Sequence, residues 1–374
     1  MSLEKTEITP ANTGREEQLQ FLRFLAFFNV YITHAEAWIF FRYPTSYCAA
    51  AAVSFFFMLS GLVTGFTLCG REIQLGLREE GRYLWRKLKK VYPLYFFTTL
   101  YTFLYHDLSE LTALANLSEF PKQLIRNLLL IQSWFPEGYF SYNGAAWFLS
   151  SLLFMWVITL PVLALLNRLA RHPRGPVLLL GSLAAVLFCT AAYCYLTKSL
   201  DMDFWQYIFP PARMGEYISG MILGILICRW KPRLPKGRAI RILFTMLEAG
   251  AMCYWFYKLS HGGGSWRSRV YAWLVPDLIL LTVFTLGAGW FSRLFRLRPL
   301  VRLGDISFEC FLIHQVFLVQ YTVYHPDPDN SLVGNAMVFL YCLLLSMLLA
   351  GLIHKFSASG KRRGSREPAT SPKS

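Results

Sequence analysis

The sequence is poor in charged residues, which make up 16% of its 374 residues, against about 25% in average soluble domains. Hydrophobic residues make up 55% of the chain and aromatic residues 17%. So little charge does not suffice to cover the water-facing surface of a globular domain of this length. The composition therefore excludes an ordinary soluble domain and indicates an integral membrane protein.

Paired cysteine motifs and a cleavable signal peptide are also missing. None of the eight cysteines forms a C-x-x-C pair, and most lie in apolar segments, which argues against a disulfide framework and predicts no metal site. Residues 1–17 are polar, and the apolar segment after them lacks a small-residue cleavage site. We expect residues 1–17 and 357–374 to be disordered cytoplasmic tails, and residues 18–356 to form one transmembrane domain.

Long apolar runs follow one another along the chain. A helix that crosses a bilayer needs about 20 mostly apolar residues, and the sequence predicts an all-α bundle of about ten such helices. A further apolar segment, 124–135, is short and predicts a re-entrant or surface helix. The predicted spans are 18–40, 48–68, 91–106, 146–167, 177–196, 211–229, 240–257, 271–291, 305–324 and 335–356.

The distribution of cationic residues predicts that both termini are cytoplasmic. With ten spans and the N-terminus inside, 28 of the 37 lysines and arginines fall in cytoplasmic segments and seven fall outside. Such an asymmetry is typical of multi-pass proteins of the cell membrane. It also accounts for the net charge of +15, so no nucleic-acid partner is needed.

Two ionisable residues lie within the first predicted span. Arg23 and His34 are eleven residues apart, which in a helix is a rise of about 16 Å and nearly three full turns. The two side chains therefore share one face. Buried ionisable groups in a span usually face the bundle interior and mark a functional path, whereas a snorkelling arginine and a packed histidine are the alternative.

The chain resembles the acyltransferase-3 type of membrane acyltransferase, a family of ten-helix proteins that acylate bacterial glycans and other acceptors. Its first-helix signature is an arginine, ten residues and a histidine, as in Arg23 and His34. Four further family patterns follow in order: FFMLSG (56–61), RYLWRKLKKVYPLY (82–95), RMGEYISG (213–220) and GDISFECFLIH (304–314).

The resemblance implies transfer of an acyl group, expected to be acetyl, from cytoplasmic acyl-CoA to a hydroxyl of a cell-surface glycan or lipid-linked sugar. Arg23 and His34 are the expected catalytic pair, with histidine as general base or as acyl carrier. A basic cluster before the third span suits the phosphates of coenzyme A, although positive-inside topology explains it too. The cluster is Arg82, Arg86, Lys87, Lys89 and Lys90, and the supporting residues are Ser60, Trp147, Arg213, Glu216, Ser307 and His314.

The sequence departs from the family patterns at two places. Leu152 stands where many members carry a glutamate after the tryptophan that corresponds to Trp147, so a carboxylate role is absent or moved there. Lys89 stands where the family often has a second arginine three residues after Arg86, and lysine lacks the bidentate fork. Arg213 and Glu216 are three apart on one helix face, and a structural ion pair and a substrate clamp fit them equally.

Two other functions fit a polar path within a helical bundle. A small-molecule transporter is one, although no inverted repeat or pair of broken helices is evident. A membrane subunit with a decayed site is the other, but retention of both Arg23 and His34 argues against it. A separate extracytoplasmic transferase is a possible partner of the acyltransferase.

Overall fold

The computed structural model describes residues 15–39, 48–104, 119–261, 271–324 and 331–364, and most of both predicted tails lies outside these ranges. The described ranges are helical throughout, with turns and short 3-10 or π segments between helices and no β-strand. Their helices are α1 Gln18–Ile39, α2 Cys48–Thr67, α3 Leu77–Thr102, α4 Glu119–Leu128, α5 Trp147–Arg171, α6 Gly175–Leu196, α7 Met214–Trp230, α8 Arg238–His261, α9 Tyr271–Leu286, α10 Trp290–Phe295, α11 Arg298–Asp305, α12 Ser307–Tyr324 and α13 Leu332–Gly364.

Each of the ten predicted spans coincides with a helix, which confirms the all-α class. Within the described residues, five helices are long and apolar enough to cross a membrane: Ala49–Thr67, Gly144–Arg171, Gly175–Leu196, Arg238–His261 and Leu332–Ser357. The count of ten crossings and the cytoplasmic location of the termini remain predictions.

The helices that fall short of this criterion do so for two reasons. α7 and α9 have 17 and 16 residues, fewer than a straight crossing requires. α1, α3 and α12 carry polar or charged residues that lower their hydropathy, among them Arg23, His34 and His314. Part of the predicted site therefore lies on helices that do not meet the criterion for a membrane span.

Several helix boundaries differ from the predicted ones; α9, for example, ends at Leu286 and not at 291. α3 begins at Leu77, so the basic cluster lies on the same helix as the predicted third span and not in a loop before it. α13 continues from the predicted span end at 356 to Gly364. The segment 124–135 forms the end of α4 and a 3-10 turn, Gln132–Trp134.

α2 and α7 pack more closely than any other pair of described helices, and glycines make this possible. A Cβ atom built on Gly61 would lie 1.9 Å from the Tyr217 carbonyl oxygen, and one on Gly65 would lie 2.2 Å from that of Met221. Gly220 and Gly224 approach α2 in the same way. Each helix therefore presents two glycines four residues apart, the small-xxx-small pattern that lets helix backbones touch in a membrane.

We predict that Gly61→Ala destabilises the fold by about 1–3 kcal/mol, since its methyl group has only backbone atoms to displace. Gly181→Ala in α6 is the matched control, because a Cβ there meets nothing within 4 Å; it should be neutral or slightly stabilising, as alanine favours a helix. Reversible unfolding of the purified protein in mixed micelles measures both. Equal stability of the two variants would contradict the close packing of α2 on α7.

Candidate active site

A cavity of about 310 Å³ opens among α1, α2, α3, α5 and α12. Its charged and polar side chains include Arg15, Gln20, Arg23, Ser60, Lys87 and Ser307. We call it the basic cavity, because Arg15, Arg23 and Lys87 outnumber its one acidic residue, Glu16. Three cations around an enclosed space favour an anionic ligand.

Arg23 projects into this cavity from the first turns of α1. Its Nη1 atom donates a hydrogen bond to Gln20 Oε1 over 3.0 Å, which leaves further guanidinium donors for a ligand. Two predicted supporting residues, Ser60 of α2 and Ser307 at the start of α12, line the same cavity. The Ser307 hydroxyl donates to the Gly304 carbonyl oxygen over 2.8 Å.

An aromatic wall closes the inner end of the basic cavity. Phe56, Phe148 and Phe311 all line the cavity, and their ring centroids lie 5.5–6.1 Å apart in edge-to-face contact. Leu152, which replaces the glutamate of many family members, lines the cavity too. This end of the cavity is therefore apolar, in contrast to the end with Arg23 and Lys87.

His34 and His314 meet behind this wall. His34 Nδ1 lies 2.8 Å from His314 Nε2, and the two rings are nearly parallel, with centroids 5.1 Å apart. His314 is fully buried and packs against Phe27, Tyr31 and Phe311, whose ring centroids lie 5.7–6.0 Å from its own. The aromatic wall thus touches the histidine pair through Phe311.

The hydrogen bonds of His314 fix the tautomers of both neutral rings. His314 Nδ1 lies 2.7 Å from the Phe311 carbonyl oxygen and 3.2 Å from that of Cys310. Carbonyl oxygens only accept, so the proton of His314 must be on Nδ1 and its Nε2 must accept from His34 Nδ1–H. His34 Nε2 then carries a lone pair for which the described residues offer no hydrogen-bond donor, and it is able to act as a base.

The basic cluster does not act as one group. Of its five members Lys87 alone lines the basic cavity, with its ammonium 5.3 Å from the Tyr83 ring centroid and 6.0 Å from that of Trp156. Arg82 and Arg86 line a neighbouring crevice of about 440 Å³. Lys89 and Lys90 are exposed and line neither space.

Burial lowers the pKa of Lys87 to about 8, and the charges of Lys90 and Arg86 act in the same direction. Removing an ammonium from water disfavours its charged form, and nearby cations add to the effect. A phosphate group placed beside Lys87 would oppose both causes, so this lysine gains more from an anionic ligand than an exposed lysine does.

The Arg213–Glu216 pair lies apart from the basic cavity. Arg213 Nη2 is 2.9 Å from Glu216 Oε1, and both side chains are fully buried. The guanidinium also lies 5.0 Å from the Phe57 ring centroid and 5.3 Å from that of Tyr207. Trp147 is buried against the same Tyr207 ring, 4.9 Å away, and is not part of the cavity lining. The pair is fully buried, but Arg213 Nε and Nη1 and Glu216 Oε2 have no hydrogen-bond partner among the described residues, so a structural ion pair and a substrate clamp still fit equally.

Sequence reasoning did not single out the aromatic wall or the contact between the two histidines. A signal for both lies in α12, where Phe311 and His314 are three residues apart and therefore share a face. Phe56 opens the FFMLSG pattern that also contains Ser60. No local signal pairs His34 with His314, since 280 residues separate them.

Comparison with known proteins gives the family of this chain. A family model described as an acyltransferase domain, of the acyltransferase-3 type, matches residues 16–355. A protein named acyltransferase MdmB, from Streptomyces mycarofaciens, is 26% identical over 276 residues, which are 70% of this chain and 66% of that relative. No solved structure matches. Because the family model covers nearly all the described residues, the chain belongs to the acyltransferase-3 family.

Proposed function

We propose that the protein is a membrane O-acyltransferase that moves an acyl group, expected to be acetyl, from acyl-CoA to a hydroxyl of a cell-surface glycan or lipid-linked sugar. The observation that carries the proposal is the contact between a cationic cavity and a histidine pair. Phe311, in the aromatic wall of the cavity, touches His314, and His314 is in hydrogen-bond contact with Nδ1 of His34, so that Nε2 of His34 keeps its lone pair. A site for an anionic thioester and a base for a hydroxyl are thus built on the same helices.

The donor is proposed to bind with its acyl end inward. Arg23 and Lys87 hold the phosphates or the polar atoms of the pantetheine arm, as charge-assisted hydrogen bonds favour. The nucleotide part lies in the neighbouring crevice, where Arg71, Arg82 and Arg86 supply positive charge. Tyr83 lies between the two spaces, since it lines the crevice and carries the Lys87 ammonium over its ring.

The chemistry needs one proton acceptor. His34 Nε2 takes the proton of the acceptor hydroxyl while its oxygen attacks the carbonyl carbon of the thioester. The new C–O bond forms, the C–S bond breaks, and the imidazolium returns the proton to the coenzyme thiolate, so the products are an ester and a free thiol. His314 keeps His34 in the tautomer that this step requires.

Transfer also requires the aromatic wall to open. Phe311 lies between the basic cavity and His314, so a thioester that enters the cavity cannot reach His34 until these rings move. A wall of this kind keeps water away from the thioester before the acceptor is bound, which prevents wasteful hydrolysis. The acyl end of the donor supplies the apolar contact that favours the open arrangement.

The proposed location is the bacterial cell membrane, with the basic cavity open to the cytoplasm, where acyl-CoA is found. The histidine pair then lies in the outer half of the bilayer, nearer to an extracytoplasmic acceptor. A separate extracytoplasmic transferase is a proposed partner that completes delivery to a distant glycan.

The proposed donor site predicts that substitutions of two neighbouring lysines, Lys87 and Lys89, affect the KM for acetyl-CoA differently. Lys87→Met should raise the KM for acetyl-CoA by about 10-fold or more, since a hydrogen bond to a charged group is worth about 1.5–3 kcal/mol. Lys89→Met is the matched control and should change KM little, because Lys89 lines neither space. Arg23→Ala should raise KM as Lys87→Met does, and Arg23→Lys should restore part of the affinity. Steady-state kinetics on protein in lipid nanodiscs measures all four.

The same site predicts a pH dependence of donor capture. Lys87 binds phosphate in its charged form, and that form is lost as pH rises through its pKa of about 8. kcat/KM for acetyl-CoA should therefore fall between pH 7 and 9. Lys87→Arg should remove the fall, because arginine stays charged. If kcat/KM of Lys87→Arg fell between pH 7 and 9 as it does in the parent, Lys87 would not be the group that contacts the donor.

The base predicts loss of chemistry without loss of donor binding. His34→Gln should lower the rate of acyl transfer by about 10²–10⁴-fold, the usual value of general-base help, while calorimetry shows acetyl-CoA bound as in the parent. Product mass spectrometry follows the transfer. Wild-type transfer by His34→Gln would refute the mechanism, and failure of the parent to consume any acetyl-CoA would favour a transporter. If an acyl-imidazole forms, rapid quenching should trap an acyl group on His34.

A further inference from the structure

Two buried amide oxygens that lie against α12, near His314 in sequence, have no hydrogen-bond partner among the described residues. They are Asn143 Oδ1, on a side chain that is 2% exposed, and Gln315 Oε1. Buried polar atoms are almost always hydrogen-bonded in folded proteins, and each exception needs an explanation. Both atoms are acceptors, so whatever satisfies them must bring hydrogen-bond donors.

The orientation of the Asn143 amide is fixed by its neighbours. Its Nδ2 atom donates to Thr98 Oγ1 over 3.0 Å and to the Leu312 carbonyl oxygen over 2.9 Å. A carbonyl oxygen cannot donate, so the amide cannot be flipped and its oxygen is the atom left over. The side chain therefore bridges α3 and α12 and presents an acceptor that the protein itself does not use.

The Gln315 amide lies next to this site on α12. It directly follows His314, and it packs against Gly144, where a Cβ atom would lie 2.8 Å from Gln315 Nε2. The absence of a side chain at Gly144 leaves room for the amide. Because Asn143 and Gly144 are consecutive and contact α12 at Leu312 and Gln315, both amides lie within about one helical turn of His314 along the axis of α12, on an adjoining face of that helix.

The backbone before this pair is strained. Tyr142 has φ of 61° and is one of two non-glycine residues with positive φ in the described ranges. Such a conformation is uncommon for a bulky residue and is found at ligand-binding sites. Here it turns the chain sharply just before Asn143, which aims the amide at α12.

We propose that Asn143 and Gln315 form the acceptor subsite and bind hydroxyl groups of a polyhydroxylated acceptor next to the hydroxyl that is acylated. The attacking hydroxyl has one proton, and that proton goes to His34 Nε2. It cannot also satisfy the two amides, and in our proposal further hydroxyl groups of the same molecule donate to them. Neighbouring hydroxyls of a sugar ring provide these donors, whereas a simple alcohol does not. No bond is made or broken at either amide.

This inference rests on the proposed acyl transfer and adds the residues that select a sugar as the acceptor. A site built to hydrogen-bond an acceptor hydroxyl rejects an analogue that lacks it, because the buried partner is then left unpaired. The two amides should therefore affect a sugar acceptor and leave a monohydroxyl acceptor almost unaffected.

The test compares two acceptors of equal chain length, n-octyl β-D-glucoside below its micelle concentration and 1-octanol, with acetyl-CoA as donor. The full-length protein is used in lipid nanodiscs, and esters are measured by mass spectrometry. The parent should acylate the glucoside with the higher kcat/KM. Gln315→Met, which keeps the length of the side chain but removes its amide, should raise the KM for the glucoside about 10-fold, the usual effect of one lost hydrogen bond. The KM for 1-octanol and for acetyl-CoA should not change.

Asn143→Ala should give the same acceptor-selective loss, although it also removes the bonds to Thr98 and Leu312. If that variant does not fold, Gln315→Met decides alone. Ser182→Ala is the control, since this exposed hydroxyl bonds within its own helix to the Leu178 carbonyl oxygen.

Each other outcome contradicts the inference in a distinguishable way. An equal loss with both acceptors would mean that Gln315 only packs against Gly144. Transfer to 1-octanol or water in preference to the glucoside would overturn the sugar subsite and leave the acyltransferase proposal standing. No consumption of acetyl-CoA under any condition would overturn the proposed function itself.

Discussion

The account depends on one hydrogen-bonded chain that runs from the backbone of α12 to the imidazole of α1. Carbonyl oxygens of Cys310 and Phe311 hold the proton of His314 on Nδ1, and the remaining nitrogen of His314 accepts from His34 Nδ1. A backbone carbonyl oxygen can only accept a hydrogen bond, so the helix fixes which atom donates and which accepts at every step of this series. The outcome is a lone pair on His34 Nε2 that is able to accept a proton.

In the rest of the site, the cationic side chains are separated from the histidine pair by aromatic rings. Arg23 and Lys87 line the basic cavity together with Phe56, Phe148 and Phe311, and Phe311 also contacts His314. An anion held by Arg23 and Lys87 is kept away from His34, which would be less available as a base in an aqueous, ion-rich space. In our proposal the acyl group crosses the wall while the phosphates stay behind.

Much of the fold was predictable from the sequence because lipid imposes long apolar runs, and all ten of these runs are helical. The same constraint made Arg23, His34, Arg213 and Glu216 conspicuous, and the last two do form a buried pair. What one sequence could not supply was contact between distant helices. His34 and His314 are 280 residues apart, and no local pattern connects them.

The five basic residues of α3 illustrate a second limit. In the sequence they form one run, but helical geometry distributes them around the helix, so Lys87 enters the cavity while Lys89 and Lys90 stay exposed. Gly61 and Gly220 illustrate a third limit of prediction from the sequence, which is that a packing residue can stand in a functional pattern. Both end family patterns that look functional, yet each removes a side chain where α2 and α7 touch.

The central claim is the tautomer of His34, and nitrogen NMR of the imidazole rings measures it directly. The protein is labelled with ¹⁵N-histidine in nanodiscs at neutral pH, and His34→Gln and His314→Gln variants assign the two rings. The account predicts a protonated Nδ1 and a bare Nε2 on His34, the same tautomer on His314, and a coupling across the hydrogen bond between them. A proton on His34 Nε2, with a bare Nδ1, would contradict the account, because the lone pair would then face His314 and not the acceptor.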